Sequence, residues 1–154
     1  MMEATYELLS SQPFLAGLTT TQLDRLSYWA RKATFHSGTR LFQEGGRADR
    51  FWLLREGRVH LETQLPGRGT AIVETLGPQA VLGWSWLFPP YRWHFSAIAV
   101  DTTLAVELDG PGVRDLCARD HDLGYELMSR FVNVVVGRMQ ATRMRLLDLY
   151  RMPS

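Results

Sequence analysis

One cysteine, Cys117, stands in the 154 residues, so the chain can form no intramolecular disulfide and offers no Cys-rich zinc knuckle. A lone thiol fits a reducing compartment. No apolar run approaches the ~20 residues of a membrane-spanning helix, and the opening stretch "MMEATYELLSSQPF" lacks the basic and apolar regions of a secretory signal. A cytoplasmic location without a membrane partner is therefore expected. Charge of one sign is also lacking: 17 basic against 16 acidic residues leave a formal net charge of +1, and with it no global attraction to nucleic acid. His36, His60, His94 and His121 form no i, i+4 pair and have no neighbouring cysteine, so neither a metal nor another cofactor is expected. Ser85, His94 and Asp101 have no nucleophile elbow around the serine, and Cys117 has no catalytic partner beside it; the expectation is a protein that is not an enzyme. "GGRAD", Gly45 to Asp49, lacks the Lys-Ser/Thr of a phosphate loop and reads as a turn.

What the chain does have is 45% hydrophobic residues, enough for one substantial core, and a texture that changes twice. Leu18, Leu23, Leu26 and Ala30 fall at helical spacing, and Thr19 with Gln22 forms a capping box, which predicts a helix between Pro13 and Arg31. From Ala33 to Leu108 short stretches of Val, Leu, Ile, Thr and aromatics are punctuated by glycines. "RVHLET" and "TLAVEL" alternate like half-buried antiparallel strands, "LPGRGTA" reads as a hairpin tip, and the whole predicts a sandwich or barrel. A short helix over Val113 to Ala118 and a long one over Asp122 to Tyr150 follow. The organisation is one structural domain in three stretches: a helical segment (1–32), a β-rich body (33–109) and C-terminal helices (110–154).

The long helix carries two apolar faces. Met128, Val132, Val135, Met139, Thr142, Leu146 and Leu149 recur in alternating steps of four and three, the spacing of a coiled-coil seam, with Thr142 its one polar member. Leu123, Leu127, Phe131 and Val134 form the other face. Two faces imply two partners, the sheet and a symmetry-related helix, or else one wide stripe packed on the same domain. Arg130, Arg138, Arg143 and Arg145 lie off the seam and read as a solvated face.

Six aromatic residues crowd into "GWSWLFPPYRWHF", Gly83 to Phe95. Either the run is core, two strands around a Pro-Pro bend, or it lines a pocket.

"LFQEGGRADRFWLLREGRVHL", with Gly45 and Gly57 at its turns, and "LGPQAVLGW" after it resemble the cyclic-nucleotide-binding domain of the catabolite activator protein family. The resemblance implies a mainly β fold with flanking α: a jelly-roll-like β-roll, or double-stranded β-helix, with an N-terminal helix and a long C-terminal dimerisation helix. It also implies a phosphate-binding cassette similar to Gly-Glu-(Leu or Ile)-(Ala or Gly)-Leu, closed by Arg-(Ser or Thr)-Ala. Here Gly83 is retained, Trp84 stands for the Glu, Ser85, Trp86 and Leu87 follow, and Phe95 stands for the Arg before Ser96 and Ala97. The loop between is one residue longer and holds Pro89 and Pro90, which cannot donate a backbone hydrogen bond. Arg92 beside Trp93 is the nearest substitute cation.

Three readings are open at this point. The first is a non-enzymatic, homodimeric regulatory module whose nucleotide site is filled by aromatics and whose partner is itself or another protein. The second is a sensor of a less polar small ligand held among Trp84, Trp86, Trp93 and Phe95. The third is genuine cyclic AMP or cyclic GMP binding through a rebuilt cassette. Only "RMPS" follows Tyr150 where relatives carry a winged helix-turn-helix, so this chain alone is expected not to bind nucleic acid directly.

Overall fold

The computed structural model describes residues 2–151. Their order is α1 (Met2–Ser10), a 3-10 turn (Pro13–Leu15), α2 (Thr20–Ser27), β1 (Ala30–Phe35), β2 (Arg40–Phe42), β3 (Arg50–Glu56), β4 (Val59–Leu65), β5 (Gly69–Leu76), β6 (Val81–Leu82), a second 3-10 turn (Ser85–Leu87), β7 (Ser96–Ala99), β8 (Thr103–Asp109), α3 (Gly110–Arg119) and α4 (His121–Arg151). The eight strands form two four-stranded sheets, ordered β1-β8-β3-β6 and β2-β7-β4-β5, with every pairing antiparallel. This is the mainly β class with flanking helices that the sequence predicts.

Strand β3 shows why the roll has helices on one side. Side chains on a strand alternate between faces, and here both faces are apolar. Phe51 and Leu53 join the core under the helices, with Leu9, Leu26, Val113, Leu127 and Phe131. Trp52 and Leu54 join a second core inside the roll, with Val59, Leu61, Leu82, Trp93 and Ala97. "RVHLET" behaves as expected: Val59 and Leu61 are buried while His60 and Glu62 are half-buried. The hairpin tip falls between Leu65 and Gly69, where the Arg68 N–H donates to the Leu65 carbonyl.

Two expectations need correction. The helix predicted from Pro13 to Arg31 is broken: Gly17 turns at φ +93°, α2 starts after Thr19 with both capping-box hydrogen bonds formed, and the chain is already in β1 at Ala30. Pairing of Ala30 with Leu108 on β8 overrides local helical spacing. Strand β8 is buried on both faces. Its Glu107 is only 5% exposed, because the carboxylate accepts from Trp52 Nε1 at 2.9 Å and pairs with Arg31 and Arg50. Buried charge persists when it is paired and hydrogen-bonded.

Asp109 ends β8 and caps α3, its side chain accepting from the Gly112 N–H at 2.8 Å. Replacing an N-cap of this kind with alanine typically costs ~1 kcal/mol. Asp109→Ala should therefore lower the melting temperature by about 2–4 °C in a thermal melt; no change would mean that the cap contributes nothing.

Helix α4 matches the predicted long helix to within a residue at each end. Leu123, Leu127 and Phe131 are buried against the domain. The seam is turned outward: Val132, Met139, Leu146 and Leu149 are exposed by 61%, 63%, 54% and 68%. Val135 is half-buried, and Val135, Met139 and Thr142 border a groove against the roll, so part of the seam faces the same domain.

Candidate functional site

Between β6 and β7 the backbone is set by a few residues of special geometry. Gly83 leaves β6 at φ +96°, a left-handed conformation that glycine adopts without a Cβ penalty. The 3-10 turn follows, closed by the Leu87 N–H donating to the Trp84 carbonyl at 3.1 Å. The Pro89-Pro90 bond is cis, and Arg92 bridges Arg47 in antiparallel fashion. The two alternating triplets of rings are therefore not two strands about a bend. A 3-10 turn sends neighbouring side chains in divergent directions: Trp84 and Trp86 go to the helix-side core, Trp93 and Phe95 to the roll core, and Phe88 is exposed.

Trp86 goes to the helix side. It is fully buried, stacked on Phe51 at 4.6 Å between ring centroids and edge-on to Phe131 at 5.4 Å. Leu87 packs against the same core. Neither they nor Arg92, which is exposed, line the cavity beside Gly83. Gly83, Trp84, Ser85, Trp93 and Phe95 do come together there, with Phe42, Leu61, Leu82, His94 and Arg138. Ser96 and Ala97 lie at the start of β7, where Ser96 Oγ accepts from the Glu44 N–H at 2.9 Å and Ala97 is fully buried in the roll core.

The cavity is almost filled. Trp93 stacks on Phe42 at 3.9 Å and 15°, and its indole lies against Gly83 so closely that a Cβ there would fall 3.1 Å from the ring. About 20 Å³ of space is left, room for roughly one water. At its rim Ser85 Oγ and His94 Nδ1 are 3.0 Å apart, and the His94 ring stacks on Trp84 at 5.4 Å. Asp101 does not complete a triad with them. It pairs with Arg58 Nε at 2.7 Å, and that hydrogen bond holds its carboxyl below the usual range. Among the described residues no three of His, Cys, Asp and Glu converge as metal ligands.

Two arginines from the helices reach this region, and the sequence reading assigned them no part in it. Arg114 on α3 donates to the Trp86 carbonyl and lies 4.1 Å from the Tyr91 ring centroid, a cation–π contact that holds the segment on α3. Arg138 on α4 turns inward, donates to the Val81 carbonyl and approaches Glu74 at 3.5 Å. Burial pushes its guanidinium below the ordinary value, with Glu74 opposing the shift. The solvated-face expectation fails here. It also fails for Arg130, which is largely buried and donates to the Ala16 carbonyl, whereas Arg145 is exposed as expected and donates to the Val73 carbonyl.

Cys117, half-buried on α3, has its thiol pushed from 9.0 up to about 11, chiefly by burial and further by Asp120. An acid whose pKa rises on folding stays protonated in the folded form after the unfolded chain has ionised, so alkaline pH between those values weakens the fold. The thiolate is the nucleophile. Alkylation by iodoacetamide at pH 8 should be at least about tenfold slower than for free cysteine; equal rates would contradict the shielding.

A β-roll that presents a glycine-led turn between two strands to a long helix defines a class of small regulatory domains. The chain belongs to the cyclic nucleotide-binding domain family, whose model matches residues 32–120. A Geobacter metallireducens chain named for cyclic-nucleotide binding is 30% identical, with a TM-score of 0.78, covering 86% of this chain and 96% of that one. A cyclic nucleotide-binding domain from Methylobacillus flagellatus has a TM-score of 0.80 at 18% identity, over 99% of this chain and 85% of its own. Among curated proteins, a CRP-like cAMP-activated global transcriptional regulator of Mycobacterium tuberculosis is 23% identical over 143 residues, 93% of this chain. The chain spans 62% of that regulator's length.

An indole (Trp84) and a benzyl group (Phe95) stand where the resemblance expects the ribose acceptor and the phosphate cation. Trp93 lies against Gly83, leaving about 20 Å³ beside it, and Leu61, Trp84, Phe95 and Arg138 are shared with an adjoining groove of about 190 Å³ under α4.

Proposed function

We propose that this domain is a non-enzymatic regulatory module, homodimeric through α4, that works without binding cyclic nucleotide. The observation that carries the reading is the Trp93 indole, packed on Gly83 and stacked on Phe42 where a sugar phosphate would have to enter. A buried anion deprived of its cation and donors costs several kcal/mol, and each ~1.4 kcal/mol is tenfold in affinity. The partners are a second copy of the chain and a protein that reads the dimer, with nucleic acid and membrane excluded from the proposal. No described helix is long and apolar enough to cross a membrane, which is in keeping with a cytoplasmic place of action. The outward seam on α4 supports the dimer, because a long apolar stripe of this spacing is satisfied by a like helix.

Thermal melting with millimolar cyclic AMP or cyclic GMP tests the reading. A micromolar ligand at 1,000 times its Kd stabilises by ~4 kcal/mol, which would raise the melting temperature by about 10 °C. No shift is expected with either nucleotide, and a shift of several degrees would reject the proposal.

One observation favours a second reading, sensing of an uncharged apolar ligand. A groove of about 190 Å³ runs between α4 and the roll, with Leu61, Val73, Trp84, Phe95, Val135 and Met139 among its walls. Its place differs from the cluster expected from sequence, since Trp86, Trp93 and Arg92 do not line it. Native mass spectrometry of protein from its own host should then show an adduct that Trp84→Ala loses; an unadorned mass would dismiss this second reading.

A further inference from the structure

The two halves of α4 are attached to the domain by different chemistry. Leu123, Leu127 and Phe131 anchor the first half, each no more than 1% exposed. From 132 to 151 no described side chain is buried. What crosses from this distal half to the roll is guanidinium: Arg138 donates to the Val81 carbonyl on β6 and faces Glu74 on β5, and Arg145 donates to the Val73 carbonyl at 2.9 Å. The Arg138 and Glu74 side chains are each only 20% exposed. Arg138 also borders both spaces on this side of the roll, the filled remnant beside Gly83 and the groove under α4.

Resting on the reading that the site is closed to nucleotide, we propose that Arg138 is an internal latch. Its guanidinium, carried by the distal half of α4, occupies the rim of the closed site and couples the helix to the roll through the Val81 carbonyl and Glu74, so that the coupling requires no diffusible ligand. Arginine suits this role because it remains charged and presents several donors in a fixed plane. The contact is specific as well as attractive, since a hydrogen bond to a charged group weakens steeply away from its preferred geometry. Once released, the distal half keeps the Arg145 hydrogen bond to the Val73 carbonyl, while Val134 stays packed on the helix-side core. The distal half, together with the second copy seated on its seam, is then able to swing away from the roll, uncovering Trp84 and Phe95.

Spin labels test the latch in the full chain. In a Cys117→Ser background, nitroxides are placed at Thr70→Cys and Gln140→Cys, both exposed positions, and labelled protein is diluted with unlabelled so that only distances within one chain are read. The wild-type sequence should give one narrow distance. Arg138→Met should raise a second, longer population by about tenfold or more, the effect expected for loss of a hydrogen bond to a charged group. Glu74→Gln should raise it by a smaller factor, and decides the matter alone if Arg138→Met does not fold. An unchanged narrow distance in the folded variants overturns the latch while leaving the closed site standing. A change in the wild-type distance on adding millimolar cyclic AMP overturns the closed site, and with it the latch as a stand-in for ligand.

Discussion

Trp86→Ala lowers the stability of the fold by about 3–5 kcal/mol, the range for large aromatic deletions in a core. Domains of this kind are held by only ~5–15 kcal/mol in all, so the melting temperature should fall by about 6–20 °C. The magnitude follows from position. Trp86 has no exposed surface, stacks on Phe51, and meets Phe131 edge-on, so its removal opens a void between β3 and α4 that these two elements cannot collapse to fill. Trp86→Phe should be mild, about 1.5 kcal/mol or less. It keeps a ring in place and removes an indole N–H that has no acceptor among the described residues, a group that costs free energy where it stands. Urea denaturation of the two variants separates a core role from a pocket role. If Trp86→Ala proved as mild as Trp86→Phe, the division of the aromatic run between two cores would be wrong.

The second large effect concerns association. Val135→Glu or Met139→Glu should convert the proposed dimer to a monomer in sedimentation at micromolar concentration, weakening association by about 100-fold or more. A carboxylate at the centre of a helix seam must be desolvated without a partner, and that costs several kcal/mol. Gln140→Glu, one residue away and exposed, is the control and should leave the dimer intact. A wild-type monomer, or a dimer indifferent to both seam changes, would remove the dimer from the proposal.

Legibility from sequence was uneven for physical reasons. The buried face of α4 could be read at Leu123, Leu127 and Phe131 because helical spacing reports burial directly. The same spacing continues through Val134 to position 138, so the inward turn of Arg138 had a signal: a guanidinium at the next step of an apolar face. Charge alone predicts solvent there, but a long side chain can reach back to a carbonyl from such a position. Helix α1 carries no strong spacing signal, and α2 ends at Ser27 because β1 pairs with β8, Ala30 opposite Leu108, a non-local effect that no window of spacing contains. In the candidate site, residue types spoke clearly and directions did not. The resemblance puts Trp84 and Phe95 where an acceptor and a cation are expected, an assignment made on residue type alone. That Trp86 faces the helices, while Trp93 covers Gly83, depends on the 3-10 turn and on the bridge from Arg92 to Arg47.

Closure of the family's ligand site by the chain's own rings is most directly examined by a crystal structure grown in millimolar cyclic AMP. The expected map shows Trp93 flat against Phe42, Arg138 on the Val81 carbonyl, and no nucleotide density beside Gly83. A cyclic phosphate lying on the Gly83 backbone, with Trp93 swung out and a guanidinium turned to meet it, would contradict it.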